Sequence, residues 1–172
     1  MVFNINGTKL RLEFSFILII AFSMLFNAEK VLKIMLFASL HEAGHITALY
    51  LFKGRADEIN LAFYGIGLKH SSRLTPLRET VFLLSGVAVN LLLCIAGVQR
   101  DINLPLLIIN ALPVYPLDGG RALSIILPYK ACRVISLITV TGILLYAVIT
   151  LNISAFLIFI YIVIFSLKEE IK

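Results

Sequence analysis

Charge is scarce in this sequence. Asp, Glu, Lys and Arg make up 15% of its 172 residues, and hydrophobic residues make up 60%. Soluble domains carry roughly 25% and 45–50% of these classes, so an ordinary soluble fold is excluded. Cysteine is nearly absent. Cys94 and Cys132 lie within or beside apolar segments, in neither a CxxC nor a disulfide-like spacing, and read as free, small apolar residues. No basic patch interleaved with aromatics accompanies the net charge of +5, which argues against nucleic acid as a partner. No A-x-A-like cleavage site follows the first apolar run at 14–26, so that run reads as a retained span. There is no internal repeat, low-complexity tract or appended soluble domain.

What remains is an all-α polytopic membrane protein, with one domain over 1–172. Apolar runs near 13–27, 29–52, 80–98, 103–127, 132–150 and 153–168 are each close to the ~20 residues a helix needs to cross a bilayer. With both termini cytoplasmic, these six spans place all but three of the fifteen basic residues (Lys30, Lys33 and Arg100) inside. That asymmetry follows the positive-inside rule, and the opposite orientation does not. In the long connection after the second span, Ile59, Leu61 and Phe63 alternate with polar or small residues, and Gly65 and Gly67 allow a bend. The pattern suits a short interfacial or re-entrant strand that could hold an unwound peptide by edge addition. A plain amphipathic loop at the interface is the alternative.

Two histidines and a glutamate interrupt the second span. His41, Glu42 and His45 spell H-E-x-x-H, and on a helix His41 and His45 lie one turn apart on one face. Glu42 projects about 100° away from His41, where it could act as a base on a water activated at a shared metal ion. Gly44 lowers the neighbouring surface so that another backbone can approach. Ionisable residues inside a span are costly and mark function by default, whereas in a soluble helix the same motif can be a structural ion pair. A catalytic zinc site takes three protein ligands, so a third is needed. In "NALPVYPLDGGRAL", Pro113 and Pro116 break the fourth span and Asp118 follows, in the cytoplasmic half of the span as is His45. Asp118 is the candidate third ligand, with a helix cap or an Asp-Gly turn as the other reading. His70 lies in a basic patch and reads as a solvated interface residue.

These segments together resemble the site-2 protease family of intramembrane zinc metalloproteases. The resemblance rests on 41–45, on "SGVAVN" at 85–90 and on 110–119, and it runs through essentially the whole chain. The fourth-span wording looks most like the branch that trims a membrane-tethered sigma-factor precursor during endospore formation. The resemblance implies one zinc ion per chain, held by His41, His45 and Asp118. It implies that Glu42 is general base and acid, and that Asn90 and Asn110 position the substrate or polarise its carbonyl. It also implies a transmembrane or membrane-tethered protein substrate, membrane regulatory proteins as partners and a bacterial cell membrane as location. Many relatives have proline after the third-span glycine, where this chain has Val87. Neither a nucleotide-sensing cystathionine-beta-synthase domain nor a PDZ domain is expected.

Two rival functions use the same residues. A membrane metal transporter would pass ions through His41, His45 and Asp118, but the chain offers no histidine-rich loop or second carboxylate pair. A catalytically inactive scaffold would bind membrane segments without cutting them and would have no need of Glu42.

Overall fold

In the computed structural model, residues 1–5, 7–23, 28–62 and 65–170 are described. Ahead of the first apolar run lie two strands that the sequence analysis did not anticipate, β1 (Val2–Ile5) and β2 (Thr8–Leu12). Helices α1 (Phe14–Ser23) and α2 (Ala28–Leu51) follow, then β3 (Glu58–Ala62) and β4 (Gly65–Lys69). The strands make one sheet in the order β1-β2-β3-β4, antiparallel except for the parallel β2–β3 pair. In β2 the alternation is plain, since Thr8, Leu10 and Leu12 turn inward while Lys9 and Arg11 face out.

This sheet changes the reading of the 59–63 segment. β3 is bonded to β2 along one edge and to β4 along the other, so it cannot take a peptide as an added edge strand. Among the described residues, the outer strands of the sheet are β1 and β4.

The remaining elements are α3 (Pro76–Ile95), α4 (Arg100–Ala111), α5 (Asp118–Ile126), α6 (Tyr129–Thr150) and α7 (Ile153–Glu170). Local chemistry accounts for their ends. Thr75 caps α3 by accepting from the Arg78 N–H at 3.4 Å, with Pro76 at the first helical position. Asn152 Oδ1 accepts from the Ala155 N–H at 3.1 Å and starts α7 after the left-handed Leu151. The 103–127 run is interrupted where its two closely spaced prolines lie. Residues 112–117, which include Pro113 and Pro116, separate α4 from α5, because proline removes a donor and clashes with the preceding turn.

Among the described residues, α3 and α6 are long and apolar enough to cross a membrane, fewer than the six spans expected. The described part of α1, ten residues, extends about 15 Å. α2 has the length, but Glu29, Lys30, Lys33 and Glu42 break its apolar character.

The chain forms two compact units, Met1–Leu107 and Ile108–Lys172. In the first, α2 packs along α3 through matching stripes: Phe37, His41, His45 and Leu49 on α2, and Phe82, Gly86 and Asn90 on α3, all buried at four-residue spacing. The approach is close. A Cβ on Gly44 would lie 2.8 Å from both the Ser85 carbonyl oxygen and Val89 Cγ2. In the second unit Val114, Leu117 and Ile162 form a buried core flanked by Leu112, Val140 and Ile158. Ser136 Oγ donates to the Pro113 carbonyl at 3.0 Å and ties α6 to the segment between α4 and α5.

Candidate metal centre

One turn of α2 carries His41, Glu42 and His45, and their ligand atoms all lie within 4.8 Å of one another. Both imidazoles are 4% exposed, deep enough that each ring nitrogen needs a partner. The Nδ1 atoms have theirs on α3. His45 Nδ1 is 2.7 Å from the Phe82 carbonyl oxygen, and His41 Nδ1 is 2.6 Å from Asn90 Oδ1. A carbonyl only accepts, so His45 Nδ1 carries the proton and, in the neutral ring, Nε2 is left with a lone pair. That lone pair points at His41 Nε2, 3.2 Å away, with the two rings nearly perpendicular.

The space beside the two Nε2 atoms is kept open by Gly86. A Cβ there would come 2.5 Å from His45 Nε2 and 2.6 Å from His41 Nε2, closer than real side chains sit. Two inward-facing imidazole nitrogens, both oriented from behind through Nδ1 and facing a gap only glycine leaves, fit a borderline-soft cation such as zinc. Glu42, half-buried and one residue from His41, adds a carboxylate on the adjoining face.

The other expected site residues divide as follows. Asp118 is the first residue of α5 in the second unit, with Arg121 Nη1 4.0 Å from its Oδ1. A carboxylate in the first turn suits the positive end of the helix. Gly119 and Gly120 lie against the backbone of 111–115, so α5 begins in contact with the proline-rich segment. Asn110, half-buried, is in the last turn of α4. Asn90 is fully buried; its Oδ1 meets His41 and its Nδ2 donates to Asn103 Oδ1 at 3.0 Å. Ile59 and Leu61 lie in β3 inside the sheet, and Phe63 falls outside the described residues. His70 is not the solvated residue expected. Its side chain is 9% exposed, its Nε2 is 3.5 Å from Glu79 Oε1 and its ring stands edge-on to Phe82. Phe82 is what shields it.

Two contributors escaped the sequence analysis, the Phe82 carbonyl and Asn103, while Gly86 entered it only as part of the 85–90 segment, with no role beside the histidines. Backbone atoms carry no sequence signal. Asn103 had one, as a polar residue in the apolar run "INLPLLII".

No family model matches the chain. Stage IV sporulation protein FB of Bacillus subtilis (strain 168) is 27% identical over 175 residues, which cover 85% of this chain. They cover 60% of that protein, so the chain spans about three fifths of this relative's length. The Site-2 Protease from Methanocaldococcus jannaschii superposes with a TM-score of 0.65 at 22% identity, over 98% of this chain and 94% of that one. The fold is therefore that of a site-2 protease, and the sequence and structural likenesses together support assigning the chain to the site-2 protease family.

Proposed function

We propose that the chain is an intramembrane zinc metalloendopeptidase that cuts a transmembrane or membrane-tethered protein near the cytoplasmic face. The observation that carries this reading is the pair of Nε2 atoms 3.2 Å apart, each ring oriented through Nδ1, with Glu42 on the next face of the helix. His41, His45 and Asp118 would hold the zinc, one ion per chain. When bound, zinc supplies Lewis acidity to the attacking water and the scissile carbonyl.

The chain's own residues do the rest. Glu42 takes the proton from the attacking water and later delivers it to the leaving amine nitrogen. Asn90 spends its amide on His41 and Asn103, so Asn110 is the better candidate for contact with the substrate carbonyl. The substrate must be unwound, because a helix hides its carbonyls in internal bonds. With β3 enclosed, the outer edge of β4, which packs against α2, is where an extended peptide would add; Ile59 and Leu61 support that strand from the neighbouring position.

The same reading makes this a multi-pass membrane protein with both termini cytoplasmic. Outward-facing apolar residues support a lipid neighbour: on α6, Leu137 and Ile138 are each 67% exposed and Ile149 is 79% exposed. A sporulation sigma-factor precursor is the first substrate to test, and membrane regulatory proteins are further partners. The test is a library of membrane-tethered segments incubated with the purified protein, with released fragments read by mass spectrometry. New termini in or beside an apolar segment are expected, and an uncut library would refute the proposal.

A further inference from the structure

His41 has two neutral tautomers, and only the one with a bare Nε2 can bind a metal. Something must choose between them, because the contact between the two histidines, taken alone, favours the wrong one. A proton on His41 Nε2 could be donated to the His45 Nε2 lone pair 3.2 Å away, whereas two bare nitrogens at that distance repel. Asn90, facing His41 Nδ1, does not decide the matter alone. An amide can present either its oxygen or its NH₂, and each selects a different tautomer.

The choice is made one residue further back. Asn103 and Asn90 are both fully buried. Asn103 Nδ2 lies 2.9 Å from the Val98 carbonyl oxygen and 3.3 Å from that of Gln99, in the turn between α3 and α4. Backbone carbonyls only accept, so that end of Asn103 is its NH₂ and the other end is its oxygen. Asn103 Oδ1 faces Asn90 at 3.0 Å, so Asn90 must offer its NH₂ there and turn Oδ1 to His41. His41 Nδ1, 2.6 Å from that oxygen, must then carry the proton. Every polarity in the chain follows from two backbone carbonyls.

We infer that Asn103 is a positioning residue for the metal centre: acting through Asn90, it locks His41 in the Nδ1–H tautomer and keeps Nε2 bare for the ion. Its consequence for catalysis rests on the metalloprotease reading; the tautomer does not. Orienting partners behind a metal-bound histidine typically matter by roughly 10–100-fold in metal affinity. In Asn103→Leu, Asn90 is free to rotate. Its NH₂ then meets His41 Nδ1, and the proton moves to Nε2.

The test uses the full chain in detergent or bicelles with ¹⁵N-labelled histidine, of which there are three. In the metal-free wild type, the His41 resonances should be those of the Nδ1–H tautomer. Asn103→Leu should shift them toward Nε2–H and weaken Co²⁺ affinity, followed by its visible d–d bands, by roughly 10–100-fold. Adding Asn90→Asp should restore affinity to within about threefold, because a carboxylate has acceptor oxygens at both ends and needs no orienting partner. An Nε2–H tautomer in the wild type would overturn the inference without any variant. So would a folded Asn103→Leu protein with unchanged resonances and Co²⁺ affinity. A wild type with the Nδ1–H tautomer but no metal binding would uphold the relay and overturn the metalloprotease reading.

Discussion

Replacing Glu42 by Gln is expected to leave zinc bound and to slow peptide cleavage by roughly 100- to 10,000-fold, the range for loss of a general acid–base. Gln has nearly the same shape but cannot take a proton at neutral pH. The two histidines are themselves unchanged, since His41 and His45 meet the centre through Nε2 and are oriented from α3 through Nδ1. Metal content by mass spectrometry and cleavage rate of a tethered substrate should therefore separate. Normal cleavage would remove Glu42 from the mechanism. Loss of metal together with activity would make Glu42 a ligand, which its place within 4.8 Å of the histidine nitrogens would permit geometrically.

Gly86→Ala is expected to damage the centre from the opposite side. The added methyl would sit 2.5 Å from His45 Nε2 and 2.6 Å from His41 Nε2, in the space where a metal would bind. Backing α3 away would relieve the clash only by giving up the close packing of the same two helices at Gly44, whose backbone lies against the Ser85 carbonyl and Val89. Overpacking of this kind costs about 1–3 kcal/mol, which corresponds to roughly 5- to 150-fold in metal affinity. Titration with a competing chelator measures it. Full affinity in Gly86→Ala would mean that the gap beside the two Nε2 atoms is not where metal binds.

The helical half of the site was legible because its logic is local. A spacing of four puts His41 and His45 on one face whatever packs against it, and two prolines interrupt a helix whatever its neighbours are. The sheet was only half legible. Thr8 to Leu12 alternates as a strand should, but Lys9 and Arg11 also serve as topology signals, and its parallel partner lies about fifty residues onward across two helices. Missing β2 made β3 look like an edge. The rear of the metal centre was not legible, because the partner of His45 is a main-chain carbonyl and the link from Asn90 to Asn103 depends on how the turn at 96–99 returns the chain. His70 went astray for a related reason: the ring that covers it belongs to Phe82, twelve residues away on another element.

The most direct test of the central claim is cleavage of a membrane-tethered substrate by the purified protein before chelation, after chelation, and after zinc is returned. The expected result is cleavage that stops when metal is stripped and recovers with about one zinc per chain, the count for a single His-His-carboxylate site. Cleavage that continues undiminished in the metal-free protein would contradict it.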